Sequence, residues 1–276
     1  MTITGKTKVF ALIGNPVDHS LSPIMHNGWI TDHGLDAVYV ALRLQGGDPA
    51  AAIRTLKSFG FAGANVTVPH KQAAAAAADF GGFRVANTLR WDDDGSLWAF
   101  NTDGEGFLDA LGEATPDWAD RVSDVLILGA GGAAQGIAEA LLPGPKHDLD
   151  LVIANRTRSR AEALADTLTR TWVGDWTDLG SLFEKADLIV QATTLGMDGV
   201  RSPEWPIDRC RPGAIIVDIV YRPLETPLLK AARARGLVVV DGLGMLIHQG
   251  ARAFEIWHGV RPDTAKARAR LLAALP

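Results

Sequence analysis

The sequence predicts an α/β fold in two lobes, and three observations carry that reading. Short apolar strands bounded by Gly or Pro alternate with longer Ala- and Leu-rich stretches, the rhythm of βαβ units and not of a sandwich or a bundle. Strands such as Val125-Leu126-Ile127-Leu128 are apolar at every position, as a parallel sheet covered by helices on both faces requires. A glycine-rich turn, Gly129-Ala130-Gly131-Gly132, follows that strand directly and opens a helical stretch.

Taken in order, strands are expected at 9–13, 37–42, 63–68, 122–128, 151–154, 188–192, 214–217 and 238–240. The alanine tract 73–78 is expected as helix, because alanine has the highest helix propensity. A boundary falls near residue 105: the turn-rich block Trp91-Asp92-Asp93-Asp94-Gly95 precedes it, and a fresh strand-glycine-helix unit begins at Val122. Residues 1–104 then form the first lobe and 105–240 the second. In the last segment, 241–276, Ile247, Ala251, Phe254 and Trp257 share one helical face, and these helices are expected to return to the first lobe.

Composition narrows the function. The chain has 276 residues, 47% of them hydrophobic and 21% charged, with a mean hydropathy of +0.08, far from the composition of disordered chains. A net charge of −5 with scattered charges offers no basic stripe, which argues against a nucleic-acid partner. The lone cysteine, Cys210, can form neither an internal disulfide nor a zinc site by itself, so a reducing compartment is expected. No apolar run approaches the roughly 18 residues that span a bilayer, and residues 1–8 lack the features of a signal peptide. A cytoplasmic protein without a membrane partner is expected.

The glycine turn is the cofactor signal. Gly129 permits the tight turn, Gly131 lets backbone approach a pyrophosphate, and Ala134 or Gly136 allows close helix-strand packing, while the helix N-terminus supplies N–H groups and positive dipole. A plain Gly-rich βα turn is the competing reading. The second strand ends not in Asp or Glu but in Asn155-Arg156-Thr157-Arg158, with Arg160 close behind. An acidic residue there would bond the ribose of NAD, whereas arginine pairs with a 2′-phosphate, so NADP is favoured; a solvated basic loop is the plainer alternative.

Three polar clusters in the first lobe resist explanation as folding devices. In Gly14-Asn15-Pro16-Val17-Asp18-His19-Ser20-Leu21-Ser22-Pro23, Ser22 before a proline suits a helix cap, but Ser20 has no such local reason. In Asn65-Val66-Thr67-Val68-Pro69-His70-Lys71, Lys71 enters the alanine helix at its positive end, where a second positive charge is disfavoured. That placement suits acid/base work, or belongs to a solvent-exposed lysine that tolerates a small penalty. In Asn101-Thr102-Asp103-Gly104, Asp103 is either a helix cap or a carboxylate that holds an ammonium. Between them, an amide in Asn87-Thr88-Leu89 could bond a substrate hydroxyl. Seven histidines without HxxxH spacing or a Cys/His cluster imply no metal, and no G-x-S-x-G elbow is present.

Read together, these clusters resemble the shikimate dehydrogenase family. The resemblance adds Ala192-Thr193-Thr194-Leu195-Gly196-Met197, Asp218-Ile219-Val220-Tyr221 and Asp241-Gly242-Leu243-Gly244-Met245-Leu246-Ile247-His248-Gln249-Gly250-Ala251, and so covers nearly the whole chain. It implies an N-terminal α/β substrate-binding domain and a Rossmann-like NADP-binding domain. It further implies reversible NADPH-dependent reduction of 3-dehydroshikimate to shikimate, a step toward chorismate and the aromatic amino acids. By the matched positions, Lys71 exchanges a proton with the C3 oxygen and Asp103 orients it; Ser20 and Ser22 hold the substrate carboxylate, with Thr67, Asn87, Tyr221 and Gln249 on its carboxylate or hydroxyls. The cofactor falls to Gly129, Ala130, Gly131, Gly132, Ala133, Asn155, Arg156, Thr157, Arg160, Thr193, Gly242 and Met245.

Three departures from the family pattern stand out. The stretch between Lys71 and Asn87 is short, which predicts a truncated helix; Arg84 replaces a usual glycine; and Gln191 stands where the family usually has Asn, close to the expected nicotinamide loop. Two alternatives remain at this point: a quinate/shikimate dehydrogenase that uses NAD, and a ligand-binding sensor that lost the chemistry. A sensor would need neither Lys71 nor Asp103. A monomer or a homodimer is compatible with the sequence.

Overall fold

The computed structural model describes residues 2–142 and 149–275. The chain divides into two compact units, one formed by residues up to Asp103 together with those from Ile247 onward, the other by Gly104–Leu246.

The first unit opens with β1 (Lys8–Gly14), α1 (Ser22–Asp32), β2 (Ala37–Arg43), α2 (Pro49–Thr55), β3 (Phe61–Val66) and α3 (Lys71–Ala77). A hairpin of β4 (Thr88–Trp91) and β5 (Leu97–Phe100) follows, and the sheet order is β2-β1-β3-β4-β5. The first three strands are parallel, whereas β4 pairs antiparallel with both β3 and β5. The turn-rich block after Trp91 is the hairpin turn, short enough to join only antiparallel strands. Ala64 and Val66 pack with Ala11, Ile13, Leu89 and Leu97 on the inner face of this sheet, against Ala74 and Ala77 of α3. Helix α3 stops at Ala77 after only seven residues, the truncation expected from the short alanine segment.

The second unit carries α4 (Asp103–Ala114), which begins at the division, α5 (Trp118–Arg121), β6 (Asp124–Leu128), α6 (Gly132–Leu141), β7 (Asp150–Ala154), α7 (Arg158–Ala165) and β8 (Thr171–Gly174). It continues through α8 (Leu179–Lys185), β9 (Leu188–Gln191), β10 (Ile215–Asp218), α9 (Pro227–Ala234) and β11 (Val238–Val240). All six strands are parallel in the order β11-β10-β9-β6-β7-β8. That is the doubly wound order of dinucleotide-binding sheets, with its switch point between β6 and β9. Both faces are covered: Val125 and Ile127 pack with Phe107, Ile137 and Leu141, while Leu126 and Leu128 pack with Phe183, Leu228 and Leu229. Period-two alternation therefore buries Val125 through Leu128 of β6, which accounts for their unbroken apolar run.

Helix α10 (Gly242–His258) and α11 (Thr264–Ala274) end the chain. From Ile247 onward they belong to the first unit, where Trp29 Nε1 donates to the Asp263 carbonyl at 3.0 Å and Trp257 Nε1 to the Leu89 carbonyl at 2.9 Å. Among the described residues no helix is long and apolar enough to cross a membrane.

Candidate active site

The parallel neighbours β1 and β3 bring their C-terminal loops together. Thr67 donates its N–H to the Ile13 carbonyl at 2.8 Å, and Asn15 to Val68 at 3.0 Å. Gly14 is required here, because a Cβ would collide with the Thr67 side chain. The loop that follows Gly14 holds Ser20 and Ser22, joined by a bond from the Ser22 N–H to Ser20 Oγ at 3.2 Å. Ser22 does not cap α1: the cap position is Leu21, and no side chain caps the helix there. The buried Ser22 side chain is therefore not consumed as the helix cap.

Beyond Val68-Pro69 the chain turns through His70, whose ring contacts the Leu44 carbonyl at 3.2 Å, and Lys71 becomes the first residue of α3. The Lys71 ammonium pairs with the Asp103 carboxylate, the first residue of α4, and the two side chains are only 12% and 7% exposed. A pair so desolvated is costly to break on one side, since the remaining charge would be stranded. Asp103 Oδ2 takes the lysine, and its Oδ1 accepts from Asn87 Nδ2 at 2.8 Å.

The orientation of Asn87 follows from a group that can only donate. The Thr102 backbone N–H lies 2.7 Å from one amide atom, which must be Oδ1, so the NH2 group is turned toward Asp103. The same NH2 meets Thr102 Oγ1 at 3.0 Å and Gln249 Oε1 at 3.1 Å. Two amide hydrogens face three acceptors, so one of these contacts is free to exchange for a ligand. Behind Asn87, Asn65 Nδ2 donates to Thr88 Oγ1 at 3.0 Å, Thr88 Oγ1 lies 3.2 Å from both Asn87 Oδ1 and Thr102 Oγ1, and the Tyr39 hydroxyl donates to Asn65 Oδ1 at 2.9 Å. Asn65, Thr88, Thr102 and Tyr39 were not singled out as site residues by the sequence. A polar Asn inside the buried apolar strand β3 was the one available signal.

Of the expected substrate residues, Lys71, Asn87, Asp103 and Gln249 form one bonded cluster, and Ser20, Ser22 and Thr67 lie on the paired loops of the same unit. Tyr221 belongs to the other unit, just beyond β10.

The expected cofactor residues lie at the C-terminal ends of the second sheet. Gly129 has φ +121°, and a Cβ there would meet the Ala192 carbonyl at 2.9 Å and Thr193 Cγ2 at 3.0 Å. Gly131 is extended and faces open space, so its backbone is accessible, and Gly132 starts α6. The close approach attributed to Gly136 is to α4, where Gly104 packs on its carbonyl, while Ala134 lies in the core. After β7, Asn155 Nδ2 closes on the Thr157 carbonyl at 2.8 Å, and α7 has no side-chain cap. Arg158 is neutralised by Glu162 at 2.8 Å, which leaves Arg156 and Arg160 exposed without an ion pair among the described residues. Two cations beside uncapped N–H groups suit a phosphate monoester. A Cβ on Gly242 would run into the Ile219 carbonyl, and Met245 packs in the core of this unit. At the end of β10, burial pushes the Asp218 carboxyl up to about 6, against hydrogen bonds from Thr226, Val220 and Gln191. Among the described residues no group of three or more His, Cys, Asp or Glu is placed to hold a metal.

Comparison with known proteins places this arrangement. Residues 12–81 match the shikimate dehydrogenase substrate binding domain, 115–220 the shikimate/quinate 5-dehydrogenase family, and 242–272 the shikimate 5′-dehydrogenase C-terminal domain. The shikimate dehydrogenase (NADP+) of Dinoroseobacter shibae is 44% identical over 275 residues, covering 97% of this chain and 98% of its own. That of Rhodospirillum rubrum is 43% identical, with 96% of each chain covered. Among solved structures, the Thermus thermophilus shikimate 5-dehydrogenase in complex with NADP(H) and shikimate superposes with a TM-score of 0.86 at 36% identity, covering 97% of this chain and all of its own. The Corynebacterium glutamicum quinate dehydrogenase in complex with NAD gives 0.88 at 31% identity, with 97% and 99% covered. With relatives above 40% identity along nearly its whole length, the chain belongs to the shikimate dehydrogenase family.

Proposed function

We propose that the protein is an NADP-dependent shikimate dehydrogenase, which reduces 3-dehydroshikimate to shikimate and reverses the reaction, on the way to chorismate and the aromatic amino acids. The observation that carries the reading is the buried Lys71–Asp103 pair, oriented by Asn87. The unit of residues up to Asp103 with those from Ile247 onward serves as the substrate domain and Gly104–Leu246 as the NADP-binding domain, close to the expected bounds of 1–104 with 241–276 and 105–240. The open cradle at Gly131, the uncapped start of α7 and the unpaired Arg156 and Arg160 fit a dinucleotide with a 2′-phosphate. Gly129, Ala130, Gly132 and Ala133 would hold the pyrophosphate, Asn155, Arg156, Thr157 and Arg160 the adenosine phosphate, and Thr193, Gly242 and Met245 the remainder. NADPH supplies a hydride when bound.

The chain's own residues handle the proton. Lys71 carries three N–H donors, of which Asp103 engages one, leaving others for the substrate C3 oxygen. As C3 takes the hydride, the ammonium donates a proton to the developing alkoxide, and the Asp103 carboxylate keeps the lysine aimed along that path. In the reverse direction the neutral amine accepts the hydroxyl proton. Asp103 Oδ1 and the exchangeable hydrogen of Asn87 face the adjacent substrate hydroxyl, with Thr67, Gln249 and Tyr221 completing the hydroxyl and carboxylate contacts. Ser20 and Ser22 bind the carboxylate through neutral hydroxyls. The protein works in the cytoplasm, as a monomer or homodimer, on small molecules alone.

Initial rates at the NADPH absorbance test the reading, with shikimate and quinate each offered NADP and NAD in chelator-treated buffer. NADP reduction with shikimate, indifferent to chelator, is expected. Preference for quinate with NAD, or no turnover with any pair, would overturn it.

A further inference from the structure

We propose that Gln191 is a positioning residue for the dinucleotide: it folds the loop Thr193–Gly196 into one shape and holds it against the glycine turn at Gly129. The proposal rests on the NADP reading above. Gln191 ends β9 and is fully buried, a primary amide where the strand would otherwise continue Leu188-Ile189-Val190. A buried amide persists only where its donors and acceptor are met.

Every polar atom of this one is engaged. The Thr193 N–H, which can only donate, lies 2.6 Å away and fixes the near atom as Oε1; the Thr193 hydroxyl reaches the same oxygen at 2.6 Å. Nε2 then donates to the Leu195 carbonyl at 2.9 Å and to Asp218 Oδ1 at 3.2 Å. The loop closes on itself, because Leu195 N–H donates back to Thr193 Oγ1 at 3.0 Å. Asp218 is in turn held by the Val220 N–H at 3.0 Å and the Thr226 hydroxyl at 2.7 Å. The ends of β9 and β10, neighbouring strands, are thus stapled through a single side chain.

The staple matters for the cofactor because of what the loop touches. Gly129 has no room for a Cβ, its obstacles being the Ala192 carbonyl and Thr193 Cγ2 themselves. A loop that relaxed toward Gly129 would displace the turn proposed to carry the pyrophosphate. An amide at this position therefore acts on binding of the dinucleotide, without touching it.

The dissociation constant for NADP, measured by calorimetry on the full chain, tests the role in the unmodified protein and in Gln191→Met and Gln191→Asn. The methionine keeps volume and loses every bond, and about tenfold weaker binding is expected, the effect of one buried hydrogen bond. The asparagine still accepts from the N–H two residues on, as short amides do in turns, and is expected within about threefold of the unmodified protein. Affinity for shikimate should stay unchanged in both. Hydrogen exchange of the unmodified protein is the second readout: the Thr193 and Leu195 amides are expected to be as protected as those of β9. An unshifted NADP constant in Gln191→Met, or loop amides that exchange like exposed ones, would overturn the role. Failure of the unmodified protein to bind NADP would instead overturn the cofactor reading and this role with it.

Discussion

Acid should destabilise the first unit chiefly through one side chain. His26 on α1 is buried, stacks on Tyr39 at 4.3 Å with the rings 6° from parallel, and is flanked by the Trp29 and Trp257 rings at 5.2 and 5.4 Å. Among the described residues neither ring nitrogen has a hydrogen-bond partner. Burial, with a smaller contribution from His258, pushes its pKa down to about 3. A base whose folded pKa lies below its unfolded value of about 6.5 costs stability as pH falls, because only the unfolded chain takes up the proton. The stability is complete above pH 6.5 and is lost progressively from there toward pH 3. At pH 5 the unfolded imidazole is protonated by roughly thirty to one while the folded one is neutral, a loss of about 2 kcal/mol. His258, pushed down to about 4 by burial, Lys8 and His33, acts with the same sign but is more exposed and contributes less. Urea unfolding at pH 7.5 and pH 5, followed by tryptophan emission, measures the slope. In His26→Phe, which keeps the ring stack and removes the titration, the drop between the two pH values should shrink by about 2 kcal/mol. Equal slopes in the two proteins would show instead that His26 takes up its proton within the fold.

Other substitutions address the proposed cofactor turn and the residues behind the proposed catalytic pair. Arg156→Ala should weaken NADP by about tenfold to a hundredfold, the worth of a charge-assisted bond, and NAD by less than about threefold; equal losses in a binding titration would remove the 2′-phosphate assignment. Gly129→Ala, forced into a φ of +121° against the Ala192 carbonyl, should lower stability by about 1–3 kcal/mol in a thermal melt and weaken NADP binding, and an unchanged melt would contradict the close approach. Thr88→Val removes the hydroxyl between Asn65, Asn87 and Thr102, and kcat should fall several-fold with Thr88→Ser restoring it. Lowered stability with unchanged kcat would make that hydroxyl a part of the fold alone.

Sequence patterning reached some of these features and not others, for physical reasons. The doubly wound sheet was legible because β6 is buried on both faces and is followed by Gly129, whose positive φ and crowding leave no alternative residue. Strands β4, β5 and β8, each of four residues, went unlisted. Motif matching named Lys71, Asn87 and Asp103, yet it could not supply the amide orientation of Asn87, which depends on a backbone N–H fifteen residues away. Tyr39 bonds to Asn65 across 26 residues, a pairing set by the β1–β2 and β1–β3 registers and by no local spacing. Gln191 was visible as a departure from the family pattern, but its bonds to Thr193, Leu195 and Asp218 appear only once the loop folds back on it. His26 offered no sequence signal, since a histidine in an apolar helix does not reveal whether its nitrogens are met.

In the proposed mechanism Lys71 moves the proton while the rest of the site binds. The turnover number of Lys71→Met with saturating shikimate and NADP, set beside its dissociation constant for shikimate, tests this most directly. The turnover number is expected to fall by about a hundredfold to ten-thousandfold, the usual worth of a positioned acid/base group, while the dissociation constant stays within about threefold. Retained turnover with weakened binding would make Lys71 a substrate anchor and contradict the mechanism.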